Sequence, residues 1–428
     1  MNVVMLPGDA LFWLLTGLTA LWAFRKRRDV YVRAMWRRIF RSPAVSASAV
    51  VLAAFFSIAT LDAIHWRTHQ GRIVSLLDTA MAHTIASSER TYSAPFAVRE
   101  YTKSIVTQHG KPSQIYRPLR HVHPQGGLRD GLIGVLGGLA AVLLPIVWLY
   151  RRFGRDDAVA WRSAAATFAL VGAFGGWVYA MSFHYHVLGT DKVGEDVLYM
   201  TLKSIRTGVL IGTLSTLVTL PFALALGMAA GYFRGLVDDI VQYLYTTLSS
   251  VPGVLLIAAA VLGMEVGLQA HPELFRSSLE RADVRLVFLI VILGITGWTG
   301  LCRMVRAETM RIAKLDFVTA AQAFGVRPWR ILRRHVLPNL AHIVIISVVL
   351  DFSSLVLAEA VLSYVGIGVD PTMYSWGNMI NQARLEMARD PMVWWPLLAA
   401  FVSMFALVLA ANIVADRIQY VLDPRNER

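Results

Sequence analysis

The chain has 428 residues, 56% of them hydrophobic and only 16% charged, with a mean hydropathy of +0.53; a soluble protein of this length carries more charge, so a water-soluble globular fold is excluded. The net charge of +13 does not describe a nucleic-acid face, because the basic clusters alternate with apolar runs instead of covering one polar surface. One cysteine, Cys302, excludes an intramolecular disulfide framework and a multi-cysteine metal site, and there is no GxxxxGK[ST] phosphate loop, so ATP hydrolysis is not expected in this chain.

Ala10 to Phe24 is a short apolar run with no basic residue before it and Arg25-Lys26-Arg27-Arg28 directly after it. A secretory signal has the reverse order of charge, so the run reads as an uncleaved span with its N-terminus outside. Tyr31 to Arg41 follows as a basic amphipathic helix with an apolar stripe of Val32, Met35, Trp36 and Ile39, suited either to the membrane interface or to an ordinary positive flank. Val45 to Ile64 is the second span. His65 to Asp130 is polar and long enough for a small external domain or cap. Its histidines (His65, His69, His83, His109, His121, His123) show no tight ligand spacing beyond His121-x-His123, so solvated surface positions are expected and no metal.

Seven further spans are expected at Gly131 to Tyr150, Ala164 to Phe183, Ile205 to Tyr232, Ile240 to Met264, Leu286 to Cys302, Ala341 to Tyr364 and Trp394 to Ala415. That makes about nine, each near the roughly 20 residues a bilayer core requires. Placing the N-terminus outside puts 24 Lys and Arg in the inner segments and 8 in the shorter outer loops, with 9 in the long loop. Long loops translocate regardless of charge, so the bias is strongly positive-inside and the C-terminus is cytoplasmic. Trp394 and Trp395 at a span start read as an interfacial belt. Asp351 and Glu359 fall in or near an apolar span, where carboxylates face a cavity or a partner; Asp351 is the deeper, open to solvation, to pairing with an Arg of a neighbouring subunit, or to a solute amine. Glu359 reads as a structural hydrogen-bonding group.

The polar stretch Leu315 to Leu340 lies on the inner side between two of these spans. Phe317, Ala320, Ala321 and Phe324 recur at helical spacing, Gly325 breaks the helix, and Pro328 suits the first turn of a second one. Leu337-Pro338 is expected to end that second helix before the next apolar run. The result is a helix–glycine–helix elbow whose alanines allow a partner's backbone to approach. A cytoplasmic location alone accounts for Arg330, Arg333 and Arg334, but not for the Ala-Ala, Gly and Leu-Pro spacing together.

That spacing resembles the "EAA" loop of ABC importer membrane subunits, with Ala320, Ala321, Gly325, Ile331, Leu337 and Pro338 in register and Thr319 in place of the leading acid. Leu188-Gly189-Thr190-Asp191, Gly194 and Asp196 resemble the LGTD-x-x-G-x-D signature of dipeptide, oligopeptide and nickel importer permeases, and Arg206 stands where that family has an Arg. Ala230-Gly231-Tyr232-Phe233, Gly235 and Asp238 resemble its AGYFGGWVD turn, and Pro252 its span proline, expected to kink the helix. Ala358-Glu359-Ala360, Leu362-Ser363-Tyr364, Gly366 and Gly368 resemble AEAxLSFLGLG, with Tyr364 for Phe; Ser375 to Met379 and the closing Leu422-Asp423-Pro424-Arg425 also match. The likeness is nearest to the C-type permease.

The resemblance implies an all-α polytopic membrane protein with the type I ABC importer transmembrane fold. It divides the chain into an extra N-terminal span and elbow helix (1–44), a first core span and external loop (45–130), an extra span pair (131–187) and the permease core (188–428). It implies half of a translocation path for peptides or a similar small solute in a bacterial inner membrane. The partners it implies are a second, homologous permease, two ATPase subunits carrying ATP and Mg, and an external solute-binding protein, all within membrane lipid. Thr319, Ala320, Ala321, Gly325, Ile331, Leu337 and Pro338 would couple to the ATPases. A secondary transporter and a non-transporting scaffold or sensor are the alternatives; the first needs ion-coupling carboxylates, the second leaves the elbow unexplained.

Overall fold

The structure is a computed structural model that describes residues 2–26, 29–68, 71–108, 111–122, 127–153, 159–271, 273, 275 and 277–422. His69, His109, His123, the Arg27-Arg28 pair, Arg155 and most of the closing Leu422–Arg425 motif lie outside these.

A short strand β1 (Asn2–Val4) leads into α1 (Pro7–Lys26), then the short basic helix α2 (Val30–Ile39) and the long α3 (Pro43–Asp62). Pro43 occupies the first turn of α3, where its missing N–H has no partner to lose. The polar segment that follows folds as β2 (His65–Arg67), β3 (Ile73–Ser75), α4 (Leu76–Ala80), α5 (Ala82–Ala86) and the hairpin β4 (Ser104–Gln108) with β5 (Lys111–Ile115). β1 pairs antiparallel with β2, Val4 opposite His65, which brings the N-terminus to the end of the molecule where α3 finishes.

Next come α6 (Gly127–Phe153) and α7 (Trp161–Met181), an antiparallel helix pair. Its contact is backbone to backbone: a Cβ at Gly138 would stand 1.9 Å from the carbonyl oxygen of Gly172, and one at Gly176 2.2 Å from that of Gly134. Both helices thus carry a small-xxx-small stripe, Gly134/Gly138 facing Gly172/Gly176, the arrangement that lets helices meet where no hydrophobic effect drives them together.

α8 (Val197–Phe233) is the central helix: half of its apolar window is buried, whereas none of that of α6 is. α9 (Leu236–Ser250) and α10 (Gly253–Ala270) return from it, α11 (Ser278–Ile312) runs along α8, and α12 (Asp316–Ala323) and α13 (Pro328–Ile331) form the elbow. α14 (Leu337–Val365), α15 (Trp376–Glu386) and α16 (Trp395–Leu422) complete the chain. The main core joins Val209, Leu210 and Ile211 of α8 to Leu286, Leu289 and Ile290 of α11, Phe352 and Val356 of α14, Trp376 of α15 and Leu407 of α16.

Among the described residues, seven helical stretches are long and apolar enough to cross a membrane, or eight if the bent α11 is taken as one span. The expected nine are therefore not all present in that sense. The run at Ala10–Phe24 does form a helix, α1, but α1 is not among the seven or eight. The span expected at Ile240–Met264 is broken, not kinked: α9 stops at Ser250, Val251 is extended (ψ 131°), and α10 restarts after Pro252. A residue before proline is pushed out of the helical region, which is enough to interrupt the helix there.

Trp395 also departs from the expected belt. It is buried and donates its indole N–H to the carbonyl of Thr190 at 3.0 Å, while Trp394 remains exposed. Of the described loop histidines, His121 is exposed as expected, whereas His65 and His83 are less solvated. His65 is buried with Nδ1 2.8 Å from Asp9, and His83 stacks on Phe183 with Nε2 2.7 Å from the Ser182 hydroxyl. No group of three or more metal-ligating residues occurs among the described residues.

Candidate functional site

The elbow is built on the ends of α8 and α11. Gly227 and Gly231 of α8 leave no room for a side chain against Cys302, Val305, Arg306 and Thr309 of α11, so the two helices approach closely as they leave the core. The Arg306 guanidinium donates to both carboxylate oxygens of Asp238 at 2.5 and 2.7 Å, fixing the start of α9 to the end of α11. α12 begins after Leu315. Its C-terminus closes with the N–H of Phe324 on the carbonyl of Ala320, that of Gly325 on Gln322 and that of Val326 on Ala321. This termination needs a left-handed residue, and Gly325 supplies it at φ +69°. Pro328 opens α13 as expected.

Beyond α13 the structure differs from the sequence reading. Leu337-Pro338 does not end the helix. Residues Leu332–Val336 form one wide π-helical turn, with the N–H of Leu337 on the carbonyl of Leu332, and the chain runs straight into α14. A proline inside an α-helix collides with the carbonyl four residues back and leaves one acceptor unpaired; a widened turn relieves both without stopping the helix.

The elbow has two faces. Val318, Ile331, Leu332, Val336 and Leu340 are buried against Ala223, Ala230, Leu301, Val305 and Ile312. Ala321 and Leu337 are partly buried on the same side. The other face carries Thr319, Ala320, Gly325 and Pro338, with Phe317, Phe324 and Trp329 exposed by 46, 85 and 70%. Three arginines, Arg330, Arg333 and Arg334, are exposed around them. The structure thus gathers the seven coupling candidates into one element but divides their places: Ile331 is an anchor inside it, and the exposed alanine, glycine and aromatics are its outer surface. Two motif residues hold it from below, Asp238 through Arg306 and Tyr232 by accepting from Gln322 Nε2 at 3.2 Å.

Asp351 and Glu359 are not part of the elbow; both lie on α14. Asp351 is half-buried, and no cation of the described residues reaches its carboxylate. Glu359 is buried, accepts from the Ser363 hydroxyl at 2.7 Å and lies where a Cβ at Gly377 would be 2.9 Å from Oε1.

At the opposite end of the bundle the LGTD-like turn is closed by the polar segment. Thr190 donates from its hydroxyl to the carbonyl of Thr91 and accepts the N–H of Ser93, and Asp196 caps α8 through Leu198 and Tyr199. Gly194 is left-handed (φ +80°), and a Cβ there would fall 2.0 Å from the Glu89 carbonyl oxygen. Burial pushes the Asp191 carboxyl above its ordinary value, and it does the same to Glu195, aided by the charge of Asp191.

Composition gave no hint of the ion cluster beside this turn. Arg206, buried in α8, donates to Asp9 of α1 (Nε at 2.9 Å, Nη2 at 2.5 Å) and to Asp283 of α11 (3.0 Å), while Asp283 also accepts the N–H of Gly8 at 2.6 Å. Lys203, one turn earlier, bridges Asp62 at 2.7 Å and Asp78 at 2.5 Å. Burial opposes ionisation of Asp78, but Lys203 and the bonds from Ser75 and Tyr199 hold its carboxyl below the usual range. A cavity of about 1030 Å³ opens over these groups. The only sequence signal for the cluster was an acid two residues into the first helix and an Arg at the start of a span.

Comparison with known proteins completes the assignment. The family described as "Binding-protein-dependent transport system inner membrane component" matches residues 223–428. The glutathione transport system permease protein of Pectobacterium atrosepticum is 31% identical over 56% of this chain and 73% of its own length. The dipeptide transport system permease protein of Bacillus subtilis is 29% identical over 57% of this chain and 70% of its own. A solved structure of the MetNI methionine ABC transporter, inward facing, aligns over 53% of this chain and 98% of that one at 16% identity and a TM-score of 0.41. The chain therefore belongs to the family of binding-protein-dependent transport system inner membrane components, as a membrane-spanning permease subunit.

Proposed function

We propose that this permease forms half of the translocation path for short peptides or a similar small solute, and that the elbow at 315–340 receives the stroke of an ATPase subunit. One observation carries the reading: an exposed surface of Ala320, Phe324, Gly325 and Trp329 stands on a base buried between the ends of α8, α11 and α14. A push on that surface is delivered to the helices themselves, because Ile331, Val336 and Leu340 leave the elbow no slack. The relatives' names, dipeptide and glutathione transport system permease proteins, support a peptide-like solute.

The remaining subunits follow from the same reading. A second, homologous permease supplies the other half of the path, two ATPases bind ATP and Mg, and an external binding protein delivers solute to the end formed by residues 65–130. Asp351, which has no cationic neighbour among the described residues, pairs with an arginine of the second permease. The chain sits in a bacterial inner membrane with its N-terminus outside and the elbow in the cytoplasm, as the distribution of Lys and Arg supports.

The test is uptake against ATP hydrolysis in the reassembled transporter. Ala320→Trp and Phe324→Ala change only side chains exposed in this chain, so the permease is expected to fold, and assembly with the ATPases is checked by co-purification. Uptake should fall at least tenfold while basal hydrolysis continues. Normal uptake by both variants, in a complex that assembles, would sink the proposal.

A further inference from the structure

At the elbow end of the molecule a groove of about 570 Å³ runs between the first helices and the α6–α7 pair. Its position follows from the helix directions. α1 and α6 finish there, α3 and α7 begin there, and Arg417 near the end of α16 donates to the carbonyl of Arg38 at 3.3 Å. The inner walls are apolar, with Ala49, Val50 and Ala53 on one side and Ala164 and Phe168 on the other. Trp22, Trp36 and Trp148 stand along it, each more than a third exposed. At the mouth are Lys26, Arg33, Arg37 and Arg152, and none of the described lining residues is acidic.

The two halves of the groove ask for different chemistry. The walls are surfaces that only hydrocarbon covers at no desolvation cost. The mouth offers guanidinium forks, which match the oxygens of a phosphate and keep donors available even when one is already engaged. Tryptophans mark the level at which hydrocarbon gives way to headgroups. The basic amphipathic helix α2 lies along the same boundary, where such helices bind anionic membrane surfaces.

We infer that the groove is a site for one anionic glycerophospholipid, with an acyl chain between α3 and α7 and the phosphate against Arg33, Arg37 and Arg152. A soluble anion does not use the apolar walls, and a neutral phospholipid brings no net negative charge to a mouth where Lys26, Arg33, Arg37 and Arg152 outnumber the nearby Asp29. The inference rests on membership in a membrane family and not on the solute or the coupling elbow, so it stands or falls separately from the proposed function.

The experiment uses the full chain, purified in mild detergent and incorporated into discs of phosphatidylcholine with graded phosphatidylglycerol. Lipid retained after delipidation is counted by native mass spectrometry. The wild type should keep one phosphatidylglycerol per chain, with at least a tenfold preference over phosphatidylcholine. Arg33→Ala with Arg37→Ala and Arg152→Ala should bring the preference near parity. Ala53→Trp, which fills the apolar wall, should lose retained lipid of either kind without lowering the unfolding temperature. Removing three arginines from the same end, Arg330→Ala with Arg333→Ala and Arg334→Ala, should leave the preference intact. Equal retention of the two lipids by the wild type overturns the inference. So does a preference that survives the first triple substitution. Displacement by millimolar inorganic phosphate overturns it too, since that marks an anion site with no use for the acyl chain.

Discussion

Arg206 is the residue on which the far end of the bundle depends. Its guanidinium lies among Asp9, Asp283 and, through Asp9, His65, each 5% exposed or less. A buried cation is tolerated only while its partners hold it, and removing one partner of such a cluster costs about 3–5 kcal/mol. Asp9→Ala should therefore lower the unfolding temperature of the purified chain by several degrees. Asp29→Ala, at an exposed pair with Lys26 (3.5 Å), should shift it little, since such pairs contribute about 0–1 kcal/mol. Equal small shifts would show that α1 is not fastened through Asp9. The same cluster explains why α1 belongs to the molecule although it is not among the helices apolar enough to span. Its first turn, with Gly8 at 2.6 Å from Asp283, is inserted between the starts of α8 and α11.

The α6–α7 pair is the element that the family motifs do not cover, and its packing is its own. No residue in the apolar window of α6 is buried, and the glycine stripe is where the pair meets backbone to backbone. Gly138→Leu puts a branched side chain where a carbonyl oxygen lies 1.9 Å from the nearest possible Cβ position, and the helices must separate. Amide exchange in α6 and α7 should rise at least tenfold, while α8 and α11, which meet through their own glycines, keep their protection. Unchanged exchange in α6 and α7 would mean that the stripe is incidental. This stripe was open to the sequence: G-x-x-x-G in an apolar run is a readable signal, and it occurs in both helices. Local chemistry elsewhere was read correctly, as at Gly325, where a helix ends left-handed, and at Pro328, where one begins. Prolines inside long apolar runs were not, because Pro338 and Pro252 each permit several outcomes. A widened turn carries the helix past the first, and an extended Val251 breaks it at the second; only the packing of the neighbours decides. The buried places of His65 and Trp395 were equally hidden, since both depend on partners more than fifty residues away.

At the scale of the whole molecule the two ends differ in kind. One end carries the sheet of β1, β2 and β3, the LGTD-like turn and the Arg206 cluster. The other carries the elbow and α2. The pairing of Val4 with His65 fixes residues 2–9 at the first end regardless of whether α1 is apolar enough to be counted as a span. The proposed orientation, with the elbow in the cytoplasm and the N-terminus outside, rests on the distribution of charge in the sequence, 24 Lys and Arg in the inner segments against 8 in the shorter outer ones. Two exposed positions test both statements together, because the native Cys302 is buried and stays silent to a membrane-impermeant maleimide. Met5→Cys, at a side chain 63% exposed, should be labelled in intact spheroplasts. Phe324→Cys, at one 85% exposed, should be labelled only after the membrane is opened. Labelling of both positions from outside would contradict a chain whose ends lie across a bilayer. The reverse pattern would keep the fold and invert the membrane, leaving the elbow where no ATPase could reach it.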